Sequence, residues 1–171
     1  MKTYNMGNSL DERVRLLRQL CWDVKHGARS PVILNLARQI TRACKARDAI
    51  CELRAIYQFT STNIRYTGDV YSIDTFASPM RVLQMGGEDC DGHSVLNCAL
   101  VICNGFRAKV RITSNKGVTW DHIYCMAGMP KGRSDTWVAL DTTLAKNRGD
   151  ISRFAQEPPR AKFQDFSMDL P

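Results

Sequence analysis

The run Gly86-Gly87-Glu88-Asp89-Cys90-Asp91-Gly92-His93, set directly before an apolar stretch, constrains this chain more than any other feature. The glycines and acids read as a turn. Residues from about Cys90 to Asn104 then carry Val95, Leu96, Ala99, Leu100 and Cys103 at helical spacing, with Gly105 as the stop. This pattern places a cysteine in the first turn of a helix, with Asp89 as the N-cap. The unpaired N–H groups and the dipole at such an end favour a thiolate. Glu88, Asp89 and Asp91 oppose it, because like charges disfavour ionisation. Either these carboxylates cap the helix or face solvent, or the thiol stays neutral until a substrate arrives.

Two downstream segments supply matching chemistry. His122, in Trp120-Asp121-His122, is placed on one strand, and Asp141 ends the next, Trp137-Val138-Ala139-Leu140-Asp141. An imidazole takes a thiol proton and later protonates a leaving group; a carboxylate holds that imidazole in the required tautomer. On adjacent antiparallel strands the two side chains stand on one face. Each residue also has a plainer reading. His122 alone is a strand histidine satisfied by a carbonyl, and Asp141 alone is a turn former before Thr142-Thr143. Cys90 sits poorly for a core cysteine, whereas Cys98 and Cys103 read as core. His93, one turn after Cys90, reads first as a solvent contact and second as a substrate contact. His26 reads as a cation at a helix C-terminus. Cys90, His93, His122 and Asp121 or Asp141 are enough ligands for zinc, but no second local ligand pair accompanies them. No cofactor is therefore expected.

The rest of the chain divides into a helical front and an α+β back. Ser9 and Glu12 form a capping box for a first helix carrying Leu10, Val14, Leu17, Cys21 and Val24, with Gly27 as its stop. Pro31 opens a second helix with the stripe Val32, Leu36, Ile40 and Cys44. A third runs from Asp48 to about Asn63, striped by Ile50, Leu53, Tyr57, Thr60 and Ile64. A short helical turn is expected over Met80–Met85. Residues 106–113 alternate Arg107, Lys109 and Arg111 with Ala108, Val110 and Ile112, which predicts a strand. Strands over 120–126 and 136–141 follow, giving an antiparallel meander. Residues 1–150 read as one domain, with a helical part over 1–65 and a core over 66–150. Residues 151–171 read as an irregular tail that packs through Phe154, Phe163 and Phe166 or stays flexible.

Charge is uneven. Residues 1–66 hold 12 Lys/Arg against 5 Asp/Glu, and the remainder holds 12 against 12, so the whole excess of +7 lies in front. These basic helices read as solvated faces, or as a contact for an acidic partner. Nucleic acid is disfavoured because no aromatic residues interleave with the basic ones. No apolar run approaches the roughly 20 residues needed to cross a bilayer. Met1–Leu10 lacks the apolar core of a secretory signal. Seven cysteines, an odd number without a C-x-x-C pair, read as reduced thiols in a cytoplasmic setting.

Taken together, these segments resemble the transglutaminase-like superfamily across about residues 78–143. Glu88-Asp89-Cys90-Asp91-Gly92-His93 and its helix resemble the nucleophile segment. Asn104-Gly105-Phe106-Arg107-Ala108 resembles the family's turn after that helix. Asp121-His122-Ile123-Tyr124 and Trp137–Asp141 resemble its histidine and aspartate strands. The resemblance implies a papain-like α+β fold, with the cysteine helix packed on a small antiparallel sheet. It also implies a Cys90–His122–Asp141 triad acting on a peptide or amide bond of a protein or peptide substrate. Gln84, His93, Trp120 and the loop Tyr66–Tyr71 are candidates for substrate or oxyanion contacts. Asp89 replaces the glutamine of animal cross-linking enzymes, which leaves hydrolysis beside acyl transfer. Small stand-alone members occur in bacteria and phages, so a host-cell or virion location and a non-enzymatic assembly role are the alternatives.

Overall fold

The computed structural model describes residues 2–4, 10–67 and 74–168, without the side chains of 2–4, 10–14 and 74–76. The Ser9–Glu12 capping box and most of the Tyr66–Tyr71 loop lie outside the described residues. In chain order the elements are β1 (Lys2–Tyr4), α1 (Leu10–Arg29), α2 (Pro31–Thr41), α3 (Ala49–Asn63) and β2 (Arg65–Tyr66). β3 (Asp74–Phe76), α4 (Pro79–Met85), β4 (Gly87–Glu88) and α5 (Cys90–Cys103) follow. β5 (Ala108–Ser114), β6 (His122–Met129), β7 (Thr136–Leu140) and β8 (Lys162–Ser167) complete the chain. The fold is α+β, as the spacing predicts.

α5 is the axis. Every residue from Asp91 to Val101 is buried, so this helix needs neighbours all round. It packs against α1, α2, α3 and α4 on one side and β6 on the other. The sheet is antiparallel, in the order β7-β6-β5-β8. Its inner face presents Ala108, Val110, Ile123, Cys125, Ala127 and Leu140 to the helices, all within one core.

Local signals explain most boundaries. Asp48 caps α3 by accepting from the Cys51 N–H at 3.0 Å, and Pro31 occupies the first turn of α2. Gly105 has φ +82, the left-handed conformation that ends a helix without steric cost.

Four expectations are corrected. α1 does not stop at Gly27 but continues to Arg29. A Cβ at Gly27 would lie 2.3 Å from Cγ of Pro79, so this glycine serves the close approach of α4 rather than a chain reversal. In α2 the buried residues are Ile33 and Ala37, while Val32 is 53% exposed and Cys44 lies past the helix end. Leu36 and Ile40 of the expected stripe do pack against the core, so the inward face is widened to take in Ile33 and Ala37 and loses the stripe's two ends.

The cysteines are not all reduced. Cys44 and Cys51 form a disulfide across the α2–α3 connection, with Cα atoms 5.7 Å apart, inside the usual range for such bonds. Finally, 151–171 is not an irregular tail. β8 adds to the edge of β5, with Val110 opposite Phe166 and Arg111 opposite Asp165. Asp165 bonds Lys109 at 2.7 Å and Arg111 at 2.7 and 2.9 Å, so the alternating basic residues of β5 find their partners in β8. Phe166 packs against the core, Phe154 meets Tyr57 edge-on at 5.8 Å, and Phe163 stays half exposed beneath Arg111 and Arg160.

Among the described residues, no helix is long and apolar enough to cross a membrane.

Candidate active site

Polar side chains of α5 fasten the cysteine helix to the two strands that carry the other candidates. The Ser94 hydroxyl contacts the carbonyls of Cys90 at 2.7 Å and Ile123 at 3.1 Å. The Asn97 amide donates to the Leu140 carbonyl and the Thr142 hydroxyl, each at 3.1 Å. Ile123 follows His122, and Leu140 precedes Asp141. Two buried hydrogen-bonding residues thus set where the histidine and aspartate fall relative to Cys90. Sequence reading missed both, although polar residues inside an apolar helix were the available signal.

His122 and Asp141 meet. Nε2 of His122 lies 2.7 Å from Oδ2 of Asp141. His122 opens β6 and Asp141 follows the last residue of β7, and the antiparallel pairing of these strands, which ends at Cys125–Leu140, brings both residues to the same end of the sheet. The other Asp141 oxygen accepts from the Thr143 N–H at 3.2 Å and its hydroxyl at 2.6 Å. The aspartate is fully buried and the imidazole side chain one-fifth exposed. With Nε2 committed to the carboxylate, Nδ1 is the ring nitrogen available for chemistry.

Cys90 opens α5. Asp89 Oδ1 accepts from the N–H groups of Asp91 at 2.9 Å and Gly92 at 3.2 Å. The cap leaves the Cys90 N–H out of its bonding. Glu88, Asp89 and Asp91 are all buried, which rules out the solvent-facing alternative. Glu88 packs where a Cβ on residue 92 would stand, 2.5 Å from its own Cβ, so Gly92 is required. Burial pushes the Cys90 thiol well above its ordinary pKa, and Asp91 and Asp89 push it further; a hydrogen bond from the Ile123 backbone opposes them. Asp91 Oδ1 lies 3.9 Å from Sγ. Burial and these carboxylates thus favour the protonated thiol, while Asp89 also caps the helix, so both sequence alternatives are met in part.

His93 is not a solvent contact. It is 2% exposed, with Nδ1 2.7 Å from the Thr142 hydroxyl. Burial lowers its pKa to about 4, so it is a neutral imidazole near pH 7. Gln84 stands exposed near the end of α4. Trp120 lies in the β5–β6 turn under the Lys162 ammonium, 4.7 Å from its ring centroid. His26 bonds the Trp22 carbonyl at 2.8 Å and stacks on the Trp22 ring. The zinc arrangement does not assemble: among the described residues no three His, Cys, Asp or Glu side chains come together as a metal site. Cys98 is buried, as read. Cys103 packs against the core with its thiol against the Ala28 carbonyl at 3.1 Å, and burial raises its pKa to about 11.

Comparison with known proteins agrees with this architecture. The sequence profile of the transglutaminase-like superfamily matches residues 34–142, from α2 to the residue after Asp141. A solved structure from Cytophaga hutchinsonii, described as a candidate cysteine protease, superposes with a TM-score of 0.51 at 16% identity. The match covers 81% of this chain and 52% of that one, so the present chain spans about half of its length. No curated protein sequence matches.

Proposed function

This chain belongs to the transglutaminase-like superfamily, and from that premise we propose that it is a thiol hydrolase or acyltransferase acting on a peptide or amide bond. Cys90 is the nucleophile, His122 the base and Asp141 the orienting acid. The observation that carries this reading is the 2.7 Å contact between His122 Nε2 and Asp141 Oδ2, on strands fastened to the first turns of the Cys90 helix.

The chemistry follows from the neutral thiol. His122 Nδ1 takes the proton as Sγ bonds to the carbonyl carbon, so a thiolate need not exist beforehand. The carbonyl electrons move onto oxygen, and the Cys90 N–H, outside the Asp89 cap, supplies one oxyanion donor. Collapse breaks the C–N bond, and the imidazolium returns its proton to the departing amine. The thioester is then attacked by water, giving an acid, or by a second amine, giving a new amide. In either case His122 accepts the attacking proton and returns it to the cysteine sulfur.

A second reading draws on the same thiol: a fold kept as a binding module would tolerate a nucleophile silenced by burial and acids. Acylation separates the two. 4-Nitrophenyl acetate should place one acetyl group on Cys90 and none on Cys21, Cys98, Cys103 or Cys125, as read by peptide mass spectrometry. Absence of acetyl-Cys90, or labelling that merely follows exposure, would overturn the enzymatic reading.

A further inference from the structure

Beside the triad lies a cleft of about 350 Å³, lined by Ser61, Ile64, Arg65, Tyr66, His93, Thr142 and residues 145–148. Among the described residues its ionic side chains are Arg65, Lys146 and Arg148, and no described acid lines it. Its wall is continuous with the candidate machinery. Thr142 follows Asp141, His93 is one turn from Cys90, and β2 pairs with β4 just ahead of the cysteine helix.

The segment bearing Lys146 and Arg148 is built rather than loosely draped. Arg148 Nε donates to the Thr62 carbonyl at 2.7 Å, and the Gly149 N–H donates to Ser61 at 3.2 Å. Asp150 bonds the Lys146 N–H and the Ser152 N–H and hydroxyl. Arg148 thereby caps a C-terminal carbonyl of α3 through Nε, and its side chain lines the cleft.

The decisive atom is Nε2 of His93. Thr142 accepts from Asn97, so its hydroxyl proton is available for His93 Nδ1. That assignment leaves the proton on Nε2, which is buried and has no hydrogen-bond partner. The Arg65 carbonyl lies on that side and favours a proton there, without closing a well-formed bond. A buried donor left open is costly, and here it belongs to a wall of the basic cleft.

We propose that this cleft is the subsite for a carboxylate on the substrate, held by Arg65, Lys146 and Arg148 with His93 Nε2–H as the neutral donor. The inference rests on the thiol-enzyme reading and names its substrate class: an acyl group bearing an acidic side chain or terminal carboxylate. Of the acids adjoining the cleft in sequence, Asp141 is engaged by His122 and Thr143, and Asp150 by its own turn.

Two measurements test this, the first independent of catalysis. Glutarate titrated into isotope-labelled protein should shift the His93 Nε2–H and Arg148 resonances saturably, whereas neutral glutaramide should not. The 4-nitrophenyl monoesters of glutaric and adipic acid should acylate Cys90 about tenfold faster than their methyl-capped forms, as expected for a charge-assisted contact. That ratio should fall to about one in Arg65→Gln/Arg148→Gln and persist in Lys116→Gln, which removes an exposed charge elsewhere. Equal response to glutarate and glutaramide, or a ratio insensitive to the double variant, overturns the subsite. Glutarate binding without any acylation retains the subsite and rejects the enzyme.

Discussion

Two parts of this molecule crowd charge into partly buried space, and they resolve it in opposite ways. On the outer face of the sheet every charge meets its opposite. Arg111 bonds both Asp165 and Glu157, Lys109 bonds Asp165, and Tyr124 donates to Glu157 at 2.6 Å. Burial alone would raise the two carboxyls, but hydrogen bonds from Tyr124 and Arg111 to Glu157, and from Arg111 and Lys109 to Asp165, hold them below the usual range. At the start of α5 burial and two carboxylates instead act together on one thiol and keep its proton in place. The first arrangement settles its charges and stabilises the fold. The second leaves a strongly raised thiol at the head of α5, the displaced titration on which the proposed nucleophile rests.

The comparison can be broken at either region. The largest effect is expected from Asp141→Ala, which removes the carboxylate orienting His122 and should slow Cys90 acylation by about 10²- to 10⁴-fold. Stopped-flow nitrophenolate release would show it, and a loss under tenfold would sever Asp141 from the site.

His93 comes next. Its folded pKa of about 4 lies below the ordinary 6.5, so folding favours the neutral ring. Stability from this group is complete above about pH 6.5 and is lost as pH falls toward 4, by up to about 3 kcal/mol. Urea midpoints at pH 7.5 and 5 should differ less in His93→Gln than in the wild type.

On the sheet, Arg111→Met should cost about 2 kcal/mol. It removes one partner from each of two carboxylates, leaving Asp165 with Lys109 and Glu157 with Tyr124 and Arg160; both are about one-quarter exposed, and solvent offsets part of the loss. The urea midpoint should fall while the acylation rate holds. The smallest change is Asp91→Asn. Burial is the larger cause of the raised thiol, so removing Asp91 lowers its pKa only partly. Alkylation by iodoacetamide at pH 8 should rise about threefold, since each unit of pKa is worth tenfold in thiolate. An unchanged rate would detach Asp91 from the thiol.

What the sequence disclosed was local. The Asp48 and Asp89 caps, Pro31, Gly105 and the alternation of β5 depend on neighbours in the chain, and each appears where those rules place it. The order of cysteine, histidine and aspartate was likewise legible, because each type carries its chemistry with it. What escaped depended on contacts distant in sequence. Gly27 looks like a helix stop until Pro79 is seen against it. Residues 162–167 look like a polar tail until Asp165 is set beside Lys109 and Arg111. His93 looks exposed until α5 is enclosed on every side, and the basic cleft exists only because residues 61–66 and 142–148 converge.

The account turns on His122 removing a proton that Cys90 does not release by itself. The direct measurement is the first-turnover release of nitrophenolate from 4-nitrophenyl acetate at pH 7, in wild type and His122→Ala. The account predicts one equivalent released per chain in the wild type, and a rate lower by about 100-fold or more in the variant. Equal rates in the two proteins would contradict it.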